Sequence, residues 1–331
     1  MKCSKILATI AFASLFAASS FAADEGEIIG KYGAITIKKV TVKDFEHPEW
    51  NSGPIVDVEK TVAYIDDDLK AATTITEAIE VDSVHFTREF KVGQNETRAS
   101  TLMLPVEGGN ASSSWKTGLD LFEFVSVFKP DGRNEYEIHV KNINAGQLKA
   151  NTPYIALVQG NESVRISLST RNTDMKKIVL KPTAGNHVVR HTEGDYHWDL
   201  TGTYENIEFK NPKNIFGFAA SASGKTQLGD FVKVACKDGK CASIRPFRAY
   251  LKCIPTNMKK SADEVELPES VKVFVIDDNG KKGTTAIGTL NTRTGEFVKE
   301  DRWFDMKGRV LDHKPTAKGT YYNNKKKVII K

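Results

Sequence analysis

Six residues, Cys236-Lys237-Asp238-Gly239-Lys240-Cys241, constrain local geometry more tightly than any other stretch of the chain. Asp-Gly between two strand-like runs is a strong signal for a two-residue type I′ turn, whose central residues need positive φ. If Asp238 and Gly239 form that loop, Lys237 faces Lys240 and Cys236 faces Cys241. Facing cysteines in a non-hydrogen-bonded antiparallel pair have Cα atoms about 4.5 Å apart, inside the range a disulfide spans. The pair is read either as a Cys236–Cys241 disulfide or as two small residues that face each other. Beyond the turn, Phe247, Ala249, Leu251 and Cys253 alternate with Arg248, Tyr250 and Lys252, the period of a half-buried strand. Cys253 falls on the apolar side and reads as a buried thiol. It lies twelve residues past Cys241, about 40 Å along an extended strand, which excludes that pairing. No Cys-x-x-Cys or His/Cys spacing suggests zinc, and the residues call for no cofactor.

The disulfide option depends on export. Lys2 and Lys5 precede an apolar run from Ile6 to Ala18, followed by Ser20-Phe21-Ala22. This is the pattern of a secretory signal peptide over residues 1–22, cut after Ala22, and the run is shorter than an ordinary membrane span. Cys3 leaves with it. The mature chain is expected outside the cytoplasm, extracellular or at the outer cell surface, with the periplasm as alternative and no transmembrane span. Subtracting 22 from 331 leaves 309 residues, and losing two lysines leaves 45 basic against 42 acidic side chains. That balance is too weak to argue for a nucleic-acid partner.

Strand signals dominate the rest. Ala34–Val42, Val58–Ile65, Val81–Val92, Thr101–Leu104, Leu119–Phe128, Tyr136–Val140, Tyr154–Val158, Val164–Leu168 and Ile178–Leu180 all read as strands. His187–Leu200 reads as a hairpin around Glu193-Gly194. Asp66-Asp67-Asp68 reads as a solvated acidic turn. His139 alternates with Ile138 and Val140 and is expected on the solvent side. His187, His191 and His197 resemble a ligand set, but residues four apart on a strand stand about 13 Å apart, which argues against a metal. Ala219–Thr226 (A-A-S-A-S-G-K-T) lacks the first glycine of a phosphate-binding loop and is read as a small-residue loop. Composition shifts over 254–270, read as a linker. Past it, Val271–Ile276, Thr284–Leu290, Phe297-Val298, Trp303–Leu311 and Val328–Ile330 suggest a small meander, with turns at Asn279-Gly280 and Asn323-Asn324. The fold expected is all-β: an antiparallel β-sandwich over 23–253, then a C-terminal β-meander module over 271–331.

Two regions resemble something known. The tail W-F-D-M-K-G-R-V-L … K-P-T-A-K-G-T-Y-Y-N-N-K-K-K-V-I-I-K (Trp303 to Lys331) is similar to the C-terminal sorting segments read by the type IX secretion system in gut and fibre-degrading Gram-negative anaerobes. Asp305, Gly308, Arg309, Lys318, Gly319 and Tyr321 carry the match. The body resembles β-rich regions of uncharacterised surface proteins of the same bacteria, through I-E-V-D-S-V-H-F-T-R-E-F (Ile79–Phe90), N-T-P-Y-I (Asn151–Ile155), L-T-G-T-Y (Leu200–Tyr204) and I-R-P-F-R-A-Y-L (Ile244–Leu251). The cysteine-flanked turn departs from their cysteine-free version. The resemblance implies export, an all-β build and secretion machinery as a partner of the tail; it transfers no catalytic residue.

The function expected is a non-enzymatic surface or cell-envelope protein with a structural or adhesive role, its partners polysaccharide or other surface proteins. The alternative is a carbohydrate-binding module for plant polysaccharide, with Trp50, Trp115, Trp198 and Trp303 as candidate aromatic faces. Tryptophan is nonetheless more often a core residue. A hydrolase is the weakest option: glycosidase carboxylates must lie about 5 to 9.5 Å apart, which sequence does not establish, and neither G-x-S-x-G nor H-E-x-x-H occurs.

Overall fold

The structure is a computed structural model. It describes residues 26–47, 52–90, 99–107, 114–115, 119–130, 135–143, 147–158, 164–165, 168–169, 177–210, 212–219, 229–257, 267–276, 288–291, 296–298, 303–306, 309–311, 314–323 and 326–330. The regular structure is all-β. An N-terminal sheet orders Glu27–Tyr32, Ile35–His47, Ser52–Asp66 and Ser83–Thr87. A large sheet then runs Val188–Glu193, Tyr196–Thr203, Arg248–Pro255, Ile215–Phe218, Phe231–Lys233, Ser270–Ile276, Glu137–Ile143, Leu119–Phe128, Tyr154–Val158 and Ala99–Leu102, with Gly288–Asn291 and Glu296–Val298 branching from it. A small antiparallel sheet of Val310–Leu311, Trp303–Phe304, Gly319–Asn323 and Lys326–Ile330 ends the chain.

The large sheet curls until its ends meet. Thr101 of the last strand donates its hydroxyl to the Ala249 carbonyl at 3.0 Å and accepts the Ala249 N–H at 2.8 Å. Val127 N–H donates to His191 Nδ1 at 3.1 Å, bringing the first strand against Leu119–Phe128. Period-2 alternation lets one strand serve two cores. Tyr154 and Ala156 point into a core shared with Ile35, Ile37, Ala63, Ile65 and Phe86 of the N-terminal sheet. Ile155 and Leu157 point the other way, into the hollow of the curl with Trp198, Phe216, Phe231 and Leu251.

Three expectations are corrected. The large and N-terminal sheets are mixed rather than antiparallel: Glu137–Ile143 runs parallel to Ser270–Ile276, and Ser52–Asp66 runs parallel to Ser83–Thr87. The 271–331 stretch is not one separate module, because Ser270–Ile276 lies within the large sheet between Phe231–Lys233 and Glu137–Ile143. Its alternating valines fit any half-buried strand, and a parallel partner 135 residues upstream leaves no local mark. Asp67 is buried rather than solvated, at 1% exposure. The turn at Asn279-Gly280, the loop from Ser221 to Thr226 and the signal segment lie outside the described residues.

Candidate functional site

Four body segments, Ile79–Phe90, Asn151–Ile155, Leu200–Tyr204 and Ile244–Leu251, lie far apart in sequence and meet at one place, the seam where the large sheet closes. From Ile79–Phe90 comes Arg88, 2% exposed. Its Nε and Nη2 donate to the two carboxylate oxygens of Asp67 at 2.9 and 2.7 Å. Its Nη1 donates to the Thr101 carbonyl at 2.7 Å and Nη2 also to the Phe247 carbonyl at 3.0 Å. From Ile244–Leu251 comes Arg248, whose Nη2 donates to Asp67 Oδ2 at 2.7 Å and whose Nη1 donates to Ser100 Oγ. Burial, and then the neighbouring Arg88 charge, lower the Arg248 guanidinium to about 10, which still leaves it charged at neutral pH. A bidentate Arg–carboxylate pair with its remaining donors on carbonyls is the geometry in which buried charge is tolerated.

Phe247 explains the middle of R-P-F-R-A-Y-L. It is fully buried at φ 59°, a left-handed conformation uncommon for a bulky residue. That turn sends its carbonyl to both Met103 N–H and Arg88, while its own N–H donates to Thr203 O at 2.8 Å. From Leu200–Tyr204, Tyr204 packs edge-on against Phe247 and donates its hydroxyl to Asn151 Oδ1 at 2.6 Å; Asn151 belongs to the fourth segment. Gly202 has no room for a side chain: a Cβ there would sit 2.2 Å from Met103 Sδ. The charged groups of this hub bind other parts of the same fold, so the hub fastens the seam where the sheet closes.

The disulfide option at the hairpin is realised. Cys236 is bonded to Cys241, Cys236 pairs with Cys241 and Lys237 with Lys240 in register, and Asp238 and Gly239 take φ 53° and 74°. Cys253 is a free, buried thiol, and burial pushes it up to about 12.

The histidines are dispersed among structural tasks. His187 Nε2 donates to Thr183 O at 2.8 Å, His191 caps Val127, and His197 Nδ1 lies 2.8 Å from Thr192 Oγ1. Among the described residues no group of three or more His, Cys, Asp or Glu is placed to hold a metal ion. His139 is half-buried rather than on the solvent side, stacked on Phe128 and edge-on to Phe274, with Nε2 3.4 Å from Glu137. Alternation placed it on the opposite face from Ile138, but that face is covered too.

The tryptophans do not form a common platform. Trp198 is fully buried, its ring against Tyr136 and Phe216, and presents no face to a ligand. Trp303 is buried beneath the Lys314 ammonium, 5.8 Å from its ring centre. Both follow the core tendency of the residue type. Trp115 belongs to the two-residue strand Ser114–Trp115, and Trp50 lies outside the described residues. In the tail, Asp305 closes a turn by accepting Arg309 Nε at 2.7 Å and Arg309 N–H at 2.9 Å. Tyr321 lies over Gly319 and donates its hydroxyl to Ala317 O at 3.1 Å. Lys318 is exposed just before this strand, and Gly308 lies outside the described residues. Of these tail residues, Asp305 with Arg309 and Gly319 with Tyr321 act in pairs.

Comparison with known proteins identifies no relative: no family model, curated protein or solved structure matches the chain.

Proposed function

We propose that the chain is a non-enzymatic exported β protein of the cell surface or envelope with a structural or adhesive role. The observation that carries this reading is the Asp67–Arg88–Arg248 hub. Each charged group in it is bound to another part of the same fold. An exposed hairpin locked by a disulfide and the signal-peptide pattern of residues 1–22 suit an oxidising compartment outside the cytoplasm. The tail from Trp303 to Lys331, similar to sorting segments, is the part proposed to engage secretion machinery.

Protease shaving of intact cells tests the location. A surface protein is degraded by external protease while periplasmic markers survive; recovery of the mature chain only from the periplasm overturns the surface assignment.

The carbohydrate-binding alternative keeps one specific support, and it is not a tryptophan. The C-terminal sheet exposes Tyr322 beside half-buried Phe304.

A further inference from the structure

The small C-terminal sheet has two unlike faces. Register puts Trp303, Tyr321 and Val328 on one, where Trp303 is buried. It puts Phe304, Tyr322, Thr320, Lys327 and Ile329 on the other. There Tyr322 is 40% exposed and Ile329 62% exposed, with Phe304 directly across the strand from Tyr322. Lys327 lies opposite Tyr322 on the outer strand, and exposed Lys318 precedes the Tyr322 strand. Neither lysine is ion-paired among the described residues. His313 to Lys331 holds six lysines and no acid.

We propose that this face binds an acidic polysaccharide. The C–H faces of its sugar rings lie on Tyr322 and Phe304, and its uronate carboxylates meet Lys318 and Lys327. A flat aromatic surface suits a pyranose ring, which is apolar on its faces and polar at its edge. The unbalanced positive charge selects an anionic chain over a neutral one. A bilayer fits less well, because Thr320 and Lys327 interrupt the apolar residues and leave no continuous wedge. This ligand rests on the adhesive reading above and makes the C-terminal sheet its contact.

Isothermal titration of the purified mature chain with oligogalacturonate, a neutral galacto-oligosaccharide and phosphatidylglycerol vesicles tests it. Binding is expected to oligogalacturonate alone and to weaken with salt. Tyr322→Ala should weaken it about tenfold, the loss of one stacking contact. The Lys318→Gln/Lys327→Gln pair should weaken it several-fold and flatten the salt dependence, and it carries the test if Tyr322→Ala fails to fold. No heat with oligogalacturonate, equal affinity for the neutral sugar, preference for vesicles, or folded variants that bind unchanged would each overturn the proposal. Because location is read by shaving intact cells, a failed titration removes the ligand without touching the surface assignment.

Discussion

Two acidic turns in this chain look alike in sequence and do opposite things. Asp66-Asp67-Asp68 follows one strand and Asp238-Gly239 joins two. The second is exposed and closed by a bond between residues five apart. The first is held by residues 21 and 181 positions away: Arg88 and Arg248 take both oxygens of Asp67. The local turn shapes a tip, whereas the non-local one fastens the N-terminal region to the seam of the large sheet. Charge density in a turn therefore says little about solvation; the partners decide it.

The largest expected effect tests that contrast directly. Asp67→Ala leaves two guanidinium groups without their carboxylate, Arg88 fully buried, and removing one member of a buried pair costs about 3–5 kcal/mol. Asp68→Ala, one residue on and exposed, should stay within about 0.5 kcal/mol. Urea unfolding of both variants reads the difference, and an Asp67→Ala loss below about 1 kcal/mol would make the hub ornamental.

Asp230 is a third acid, buried like Asp67 but with Lys272 as its nearby cation and Glu135 opposing it. Burial raises its carboxyl to about 7, Lys272 partly offsetting the rise. The folded state then holds a proton that the unfolded chain releases near its ordinary value of about 4. Stability is full below about pH 4 and declines until about pH 7, by up to roughly 4 kcal/mol at this site. Asp230→Asn should remove that slope and be the more stable protein at pH 7.5. Parallel slopes for variant and parent between pH 4 and 7 would exclude the effect.

What was legible in the sequence follows the same division between local and distant causes. The turn at Asp238-Gly239, its register, the buried Cys253 and the strand Leu119–Phe128 follow from neighbours within a few residues. The outer half of the hairpin Ile35–His47/Ser52–Asp66 was not legible. Past Val42 the apolar alternation fades, and cross-strand pairs such as Lys43–Asp57, at 2.8 Å, line the ribbon there. The seam was not legible, because nothing local says that Arg88, Tyr204 and Phe247 converge. For the C-terminal sheet, Trp303–Leu311 and Val328–Ile330 carried strand signals but Gly319–Asn323 did not, and facing required the register: Trp303 stands out by residue type, while Tyr322 carries the exposed aromatic face.

At the exposed turn the effects should be smaller. Replacing Cys236 and Cys241 with serine reopens a loop of six residues, for which chain entropy sets an upper limit of about 2 kcal/mol. A thiol titration of the unreduced, unfolded mature protein, without residues 1–22, should find one group, Cys253. Three groups would remove the staple, and a stability loss above that of Asp67→Ala would reverse the ranking of the two turns.

The smallest effect is the most discriminating about what the staple does. Lys237 and Lys240 are directly opposed across the turn, and both are exposed; like charges in that relation destabilise a hairpin. Lys240→Glu should therefore stabilise the fold by about 0.5 kcal/mol at low salt and by less at high salt. With the disulfide intact, however, Lys237 and Lys240 stay close in the unfolded chain as well, so part of the repulsion cancels between the two states. In the serine-substituted protein unfolding separates them, and the full benefit of Lys240→Glu should emerge. A double-mutant cycle between the charge change and the cysteine replacements should thus show coupling, with the gain larger without the bond. Equal gains in both backgrounds would mean that the disulfide does not hold the lysines together once the fold is lost, and that the tip is organised by its turn alone.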